Sequence, residues 1–317
     1  MNSVLRRGMT LVELLVVVSI IVLLAAAAIP RLQPAMDRSR VREAARSVQL
    51  YLSAARNQAM ATGRSCGVMI AVEGGCSMTL TQVETPPTYG GDSMSSMATV
   101  TSSGAKGICN ITGVSPALSK SDQIQIGYQG YWFNVTSGTT AGLANVCGET
   151  PVWTAGQPIK GPYKVLRGPK PSVASALELP SPAVIDLTWS GADPVAGSSP
   201  TYLGGTSPVY IMFTPTGSVD WIGDIGNGTK ITTPVYLLIG KRENVNDAST
   251  PPQWNLQDKS SLWVAINSAT GLIVTTDLAA VAVKAKTADS DSDAKANNSV
   301  INNSRDYARK SDAMGGK

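Results

Sequence analysis

The side chains that most often perform catalysis are scarce in this chain of 317 residues, which contains no histidine. Without histidine there is no Ser-His-Asp or Cys-His nucleophile arrangement and no HExxH zinc site, and the commonest general base is missing. Paired Asp or Glu side chains could still serve as acid and base, but no spacing in the sequence singles out such a pair. We therefore expect that the chain is not an enzyme and uses no cofactor.

One acidic stretch near the C-terminus has the spacing of calcium ligands. Asp289, Asp291 and Asp293 repeat the opening of a calcium-binding loop of the EF-hand type. Such a loop needs glycine at its sixth position and a bidentate glutamate at its twelfth, where this chain has Ala294 and Val300. We interpret the stretch as a solvated acidic run and predict no metal site.

The four cysteines are even in number and do not follow a zinc pattern. Cys66, Cys76, Cys109 and Cys147 are separated by 10, 33 and 38 positions, and these spacings match no common zinc site. In an oxidising compartment they allow three disulfide connectivities. A hairpin around the Glu-Gly-Gly turn would place Cys66 opposite a residue near 82 rather than Cys76. A Cys109–Cys147 disulfide would close a loop within the predicted insertion of residues 84–181, and we favour that pairing for this reason.

An apolar stretch near the N-terminus is long enough to cross a membrane. Residues 11–29 form a run of nineteen residues interrupted only by Glu13 and Ser19, and a helix of this length crosses a bilayer core of about 30 Å. Because the pair Arg6-Arg7 precedes the run, the positive-inside rule places the N-terminus in the cytoplasm and the chain after Pro30 outside. We predict a single-pass protein of the bacterial inner membrane with a periplasmic body. A secretory signal peptide is the alternative, but this run is longer than usual and carries a carboxylate.

The residues at the start of the apolar run form a specific motif. Residues 6–13, RRGMTLVE, resemble the class III leader of type IV prepilins and type II secretion pseudopilins. The resemblance implies that a prepilin peptidase cuts after Gly8 and methylates the new N-terminus at Met9. It also implies that Glu13 faces the amine of a neighbouring pilin subunit, whose charge would compensate a carboxylate in an apolar filament core. The alternative for Glu13 is a carboxylate at headgroup depth that extends toward water.

The chain after the apolar run is predicted to continue as a helix with one apolar face. With Gly63 as the stop, a continuous helix from Met9 to Ala61 would span 53 residues, or about 80 Å. Pro30 is expected to kink this helix or to free a backbone carbonyl. Small and apolar side chains recur along its second half at spacings of four and three, which is one helical face: Val41, Ala45, Val48, Leu52, Ala55 and Ala59.

The second half of this helix and some strands after it are similar to one subgroup of pseudopilins. Residues 44–68 resemble the GspH/FimT group of minor pseudopilins, in which a helix with an Ala-Arg-x-x-Ala pattern ends at a Gly-Arg pair, here Gly63-Arg64. The resemblance extends loosely to the strand and turn over 210–217 and to a closing hairpin over 262–274. It implies an α+β pilin-like fold, in which the long N-terminal helix packs on an antiparallel β-sheet body.

The composition divides the chain into a leader, a helix in two parts, a body and a tail. Within the body, residues 84–181 are crowded with Gly, Ser, Thr and Pro and predict a large insertion or decorated loop with short strands at 124–128 and 131–135. The other predicted strands are 64–72, 76–83, 183–189, 209–213, 235–239, 262–266 and 272–275. The predicted regions are a leader peptide (1–8), a transmembrane and filament-core helix segment (9–30), an amphipathic periplasmic helix segment (31–63), a β-rich periplasmic domain (64–283) and a disordered polar tail (284–317).

The charge distribution bears on what the protein binds. The net charge is +4, but residues 31–64 carry +5 and residues 65–283 carry −4. We predict a structural minor pseudopilin or pilin subunit of a type II secretion pseudopilus or type IV pilus-like filament, supporting protein secretion. The alternative is a DNA-binding minor pilin of a competence system, in which the arginines of 31–64 contact phosphates. A solvated helix face, or contacts with neighbouring subunits, would explain the same arginines.

Overall fold

The computed structural model describes residues 11–103, 106–114, 118–128, 132–138, 143–147, 158–193, 201–225, 228–245, 254–279 and 301–310. Within these ranges the chain forms one long helix, nineteen strands, a short 3-10 helix at Arg242–Asn244 and a helical segment over residues 301–310. An N-terminal helix followed by antiparallel β-sheets is compatible with the expected α+β pilin-like fold.

The long helix, α1 (Leu11–Thr62), has 52 residues and lies close to the predicted bounds. It is helical through Pro30 without interruption. It ends where Gly63 adopts a φ of +65° and donates its N–H to the Ala59 carbonyl at 3.0 Å, which is the left-handed cap that glycine favours. The predicted stripe is confirmed, because each of its six residues is at most 1% exposed.

The strands are short, and many have only one apolar face. In chain order they are β1 (Cys66–Ile70), β2 (Cys76–Ser77), β3 (Thr79–Glu84), β4 (Ala98–Ser103), β5 (Lys106–Ile111), β6 (Gln123–Ile126), β7 (Trp132–Gly138), β8 (Leu143–Cys147), β9 (Ile159–Gly161), β10 (Tyr163–Leu166), β11 (Lys170–Pro171), β12 (Leu177–Glu178), β13 (Ala183–Ala192), β14 (Thr201–Tyr202), β15 (Val209–Phe213), β16 (Val219–Gly223), β17 (Val235–Lys241), β18 (Leu262–Ile266) and β19 (Ile273–Asp277).

Two antiparallel sheets form the body and share one core with α1. The first body sheet has the order β11-β3-β1-β15-β16, with β12 also paired to β3, and the second body sheet has the order β14-β13-β17-β18-β19, with β2 paired to β13. The stripe of α1 packs in one apolar cluster with side chains of both sheets, among them Val68, Ile211, Leu237 and Val264. The second half of the helix is therefore part of the core of the body.

The predicted hairpin around residues 73–75 forms, but its return strand is divided. Gly74 and Gly75 have φ values of +60° and +84°, as a tight hairpin turn requires. After the turn, Cys76–Ser77 pairs with β13 of the second body sheet, whereas Thr79–Glu84 pairs with β1. Cys66 consequently lies opposite Glu84, two positions from the predicted partner near 82.

Residues 84–181, for which a large insertion or a decorated loop with two short strands was predicted, contain more regular structure than that prediction gave them. Many of these residues form a seven-stranded antiparallel insertion sheet, in the order β10-β6-β7-β8-β5-β4-β9, with an apolar cluster of its own that includes Ile124, Phe133 and Tyr163. The two strands predicted there correspond to β6 and β7. The other five were missed because sequences such as ATVTSS in β4 are rich in small polar residues.

The prediction of a disordered tail over 284–317 is wrong for residues 301–310, which are helical. This segment packs on the face of the second body sheet that is turned away from α1, and Ile301 and Ala308 are buried there against Trp263. The composition of the tail is polar, but the buried side chains of residues 301–310 share one helical face. The strand β16 was also not predicted.

Candidate functional site

The first half of α1 exposes a continuous apolar surface, which we call the apolar surface of α1. Twelve large side chains between residues 11 and 24 are 43–79% exposed, although the stripe farther along the same helix is buried. Monomeric soluble proteins rarely expose so large a contiguous apolar patch, and such a patch marks contact with lipid or protein. Its members are Leu11, Val12, Leu14, Leu15, Val16, Val17, Val18, Ile20, Ile21, Val22, Leu23 and Leu24.

Glu13 lies within this surface, in the first turn of α1. Its side chain is exposed. Gly8 and Met9, the predicted cleavage position and the predicted methylated N-terminus, lie outside the described residues. The structure therefore places Glu13 at the start of the apolar surface and leaves the processing site a prediction.

Arg56, which sequence analysis did not single out, adds polar contacts between the second half of α1 and the body. Arg56 donates from Nε to the Gly217 carbonyl at 3.0 Å and from a terminal nitrogen to the Thr270 carbonyl at 2.9 Å. These carbonyls belong to the β15–β16 turn of the first body sheet and the β18–β19 turn of the second. Arg56 thus joins both sheets to the helix. Arg56 is the arginine of the Ala-Arg-x-x-Ala pattern, and that pattern was the feature of the sequence that could have identified it.

Three arginines form an exposed row on α1 that starts just before the buried stripe and runs beside its first residues. Arg38, Arg42 and Arg46 follow one another at intervals of four residues and are all exposed, so they lie on one helical face. Nearby, Arg40 is 3.9 Å from Asp37. The basic stretch that the sequence shows over 31–64 is therefore divided between a structural contact of Arg56 and an exposed row.

The two cysteines whose side chains the structure describes are buried thiols. Cys66 and Cys76 are both free, and burial raises the pKa of each thiol. In the insertion sheet, Cys109 lies opposite Ala144 and Cys147 opposite Asn134 in the strand register. The side chains of Cys109 and Cys147 lie outside the described residues, so their disulfide stays a prediction.

A cleft of about 340 Å³ lies where the edges of the two body sheets meet. Its lining includes Asp193, Tyr202, Asp224 and Lys230. Burial raises the pKa of Asp193, although the nearby Arg305 opposes that shift. The cleft offers charged and hydrogen-bonding groups to a small polar ligand.

Among the described residues, no three His, Cys, Asp or Glu side chains come close enough together to hold a metal ion. Asp289, Asp291 and Asp293 are outside those residues, so the interpretation of that stretch as a solvated acidic run stays a prediction.

Comparison with known proteins identifies the N-terminal segment. Residues 5–29 match the family model of the prokaryotic N-terminal methylation motif. The chain as a whole is not significantly similar to any curated protein or solved structure. The part of the chain that the structure describes contains no helix that is both long and apolar enough to span a membrane.

The matched segment contains Gly8, Met9 and Glu13, and it covers the apolar surface of α1. The motif suggests a membrane-anchored pilin and agrees with the resemblance of residues 6–13 to a prepilin leader. The prokaryotic N-terminal methylation motif over residues 5–29 indicates a type IV pilin-like subunit with a prepilin-type N-terminal segment.

Proposed function

We propose that the protein is a minor pseudopilin or minor pilin subunit that enters a periplasmic filament through the first half of α1 and supports type II protein secretion. The observation that carries this proposal is the coincidence of the methylation motif with the exposed apolar surface of α1. Before assembly, the same surface would lie in the bacterial inner membrane, with the N-terminus in the cytoplasm and the body in the periplasm.

The energetics of the apolar surface favour this proposal. Full burial of one Leu, Val or Ile side chain contributes about 1.5–3 kcal/mol, so twelve such side chains in water would oppose the isolated state strongly. A bilayer or a core of packed helices removes them from water. In a core of helices, Glu13 requires a positive partner, and the amine of a neighbouring Met9 would provide it.

The body supports a minor rather than a repeating role. Arg56 and the stripe fix both body sheets to α1, so the body would be carried as one unit on the filament helix. The insertion sheet adds a second bulky layer with its own core. We assign the work of starting or capping the filament, or of contacting a secreted protein, to this body.

The intact mass and N-terminal peptide of the membrane-extracted protein test this proposal. From cells with the prepilin peptidase, we expect a first peptide that begins at Met9 and carries one methyl group. Cells without the peptidase, and the variant Gly8→Ala, should retain the leader. An N-terminus at Met1 in peptidase-containing cells, or a cut near Ala28, would contradict the proposal.

A substitution of Glu13 distinguishes leader cleavage from filament assembly. The variant Glu13→Leu should still lose its leader, but it should be absent from sheared or cross-linked filaments because the charge that sets subunit register is missing. Ser19→Ala is a matched control within the same helix, since the Ser19 hydroxyl donates only locally, to the Leu15 carbonyl at 2.8 Å. Equal assembly of the Glu13→Leu and control chains would refute the role of Glu13.

A DNA-binding minor pilin is the second candidate, and the exposed row of Arg38, Arg42 and Arg46 favours it. Replacing all three with Gln should weaken DNA binding. It should also reduce the slope of the logarithm of the binding constant against the logarithm of the salt concentration by the amount that about three phosphate contacts contribute. Duplex DNA binding is measured over a salt series, with Lys259→Gln on the body as control. Unchanged binding would show that this row does not contact DNA.

A further inference from the structure

The cleft where the edges of the two body sheets meet has no part in the proposed assembly. Its volume of about 340 Å³ lies in the range of small-ligand sites, about 300–1,000 Å³. None of the described residues that line it belongs to α1. The cleft would therefore stay accessible while lipid or other subunits bury the apolar surface of α1.

The floor of the cleft is apolar. Leu203, Val209 and Ile222 line it, and they are only 7%, 5% and 3% exposed. These side chains belong to the core that α1 shares with both body sheets, so the packing around them fixes the floor in place. A ligand that covers the floor removes apolar surface from water, which is favourable only if the ligand presents an apolar face.

The rim of the cleft is rich in hydroxyl groups. Of the described residues that line it, six carry a hydroxyl, and most of these six are exposed. A hydroxyl both donates and accepts hydrogen bonds, so a row of them matches ligand groups that do the same. The six residues are Tyr202, Thr206, Ser207, Thr229, Thr232 and Thr233.

The charged groups at the cleft balance one another. Asp193, Asp224 and Lys230 line it, and a terminal nitrogen of Arg305 lies 3.9 Å from the Asp193 carboxylate. Among the described residues, two negative groups therefore face two positive ones. Because an ion taken out of water needs an opposite charge to compensate it, a site without net charge favours a neutral ligand over a phosphate or a basic peptide.

One wall of the cleft lets a ligand approach the backbone. Gly204 and Gly205 belong to this wall, and a Cβ added at Gly205 would meet no atom within 4 Å. Tyr202, in the same wall, is 37% exposed, and an aromatic ring can pack against a flat apolar face while its hydroxyl stays in contact with water. The wall thus offers both open space and a flat surface.

We propose that the cleft is a binding site for a neutral saccharide. A pyranose ring has apolar C–H faces, a rim of hydroxyl groups and no charge, so it matches the floor, the rim and the charge balance together. A phosphate ion lacks the apolar face, and a hydrocarbon lacks the hydroxyl groups. This inference goes beyond the proposed function, since assembly of subunits through α1 does not require the body to recognise a ligand.

Binding of the purified full chain to a printed array of oligosaccharides tests the proposal. The chain is kept in a zwitterionic detergent, because a detergent with a sugar headgroup would compete for the cleft. The array holds N-acetylglucosamine oligomers, neutral oligosaccharides of glucose, galactose and mannose, and acidic oligosaccharides of uronic acids. We expect binding to neutral saccharides, and the sugar that binds distinguishes a cell-wall glycan from a glycan of another source. Preference for the acidic saccharides, or no binding at all, would overturn the proposal.

Substitutions at the cleft show whether the bound saccharide lies there. Gly205→Leu fills the space in front of the wall and should weaken binding by about tenfold or more, whereas the smaller Gly205→Ala should retain it. Thr206→Val and Thr229→Val each remove one rim hydroxyl at nearly constant volume and should weaken binding by about two- to tenfold.

Urea unfolding of each variant shows that it is folded before binding is compared. If Gly205→Leu is folded and binds as well as the parent chain, the saccharide lies elsewhere and the proposal is wrong. If Gly205→Leu does not fold, the two threonine variants decide, and unchanged binding by both would refute the site. Because binding is measured on the purified chain, it does not depend on leader cleavage, so this proposal and the proposed function fail independently.

Discussion

Replacement of Arg56 tests how the body is held on the helix. The side chain contacts the turn of each body sheet, through the Gly217 and Thr270 carbonyls. Gly217 has a φ of +87° and Gly271 a φ of +63°, and a Cβ added at Gly271 would come within 2.8 Å of Nε of Arg56. The two glycine turns therefore leave the space that the guanidinium fills.

The size of the effect follows from the two hydrogen bonds. A hydrogen bond to a charged group contributes about 1.5–3 kcal/mol, and the lower part of that range applies because the side chain is half-buried and water can replace some of the contact. We expect Arg56→Ala to lower the free energy of unfolding by about 2–4 kcal/mol. Arg56→Lys should lie between this variant and the parent, since one ammonium group cannot reproduce the fork of donors.

Urea unfolding of the full chain in detergent, followed by tryptophan fluorescence, measures this difference. Arg46→Ala is the matched control on the same helix, and as an exposed substitution it should change the free energy of unfolding by less than about 0.5 kcal/mol. If Arg56→Ala and Arg46→Ala unfold at the same urea concentration, the two turns are held by the apolar core alone. The stabilising role assigned to the two hydrogen bonds of Arg56 would then be wrong.

Three further substitutions, with Gly205→Ala as a control, probe the cores. Leu52→Ala removes a fully buried side chain of the stripe and should lower the free energy of unfolding by about 2–5 kcal/mol in the same urea assay. Gly67→Ala places a methyl group against the Ile211 carbonyl of the neighbouring strand and should cost about 1–3 kcal/mol, whereas Gly205→Ala, which meets open space, should be nearly neutral. Burial raises the pKa of Tyr163 to about 12. Since the unfolded phenol ionises near 10, the insertion sheet should lose stability as the pH rises from about 10 to 12, and Tyr163→Phe should flatten that loss in unfolding experiments across this range.

The elements that depend on local pattern were predictable from the sequence. The stripe of α1 repeats at helical spacing, and all of its residues are buried. The strands predicted at 209–213 and 262–266 agree with β15 and β18 at both ends. The latter strand is a continuous apolar run because β18 packs against α1 on one face and against the cluster that contains Ile301 and Ala308 on the other.

The elements that depend on contacts between distant residues were not predictable. The strands of the insertion sheet are short and polar on one face, so their composition resembled that of a loop. The two turn carbonyls that Arg56 contacts are 161 and 214 positions away from it in the sequence, and no local pattern relates them. The candidate assembly site, by contrast, was predictable from the sequence. Its motif is contiguous, so residues 5–29 match the family model independently of any contact with the body.

The two halves of α1 differ in whether the chain's own fold buries their apolar side chains. Within the described residues, the shared core of the helix and the two body sheets begins at Val41 and ends, on the helix, at Ala59. The twelve large side chains of the apolar surface lie outside that core, and each is at least 43% exposed. The body therefore completes its core without them. A sequence that keeps so many apolar residues where its own fold does not bury them needs an apolar environment from outside the chain. Under the proposed function, that environment is first the membrane and then the helices of neighbouring subunits.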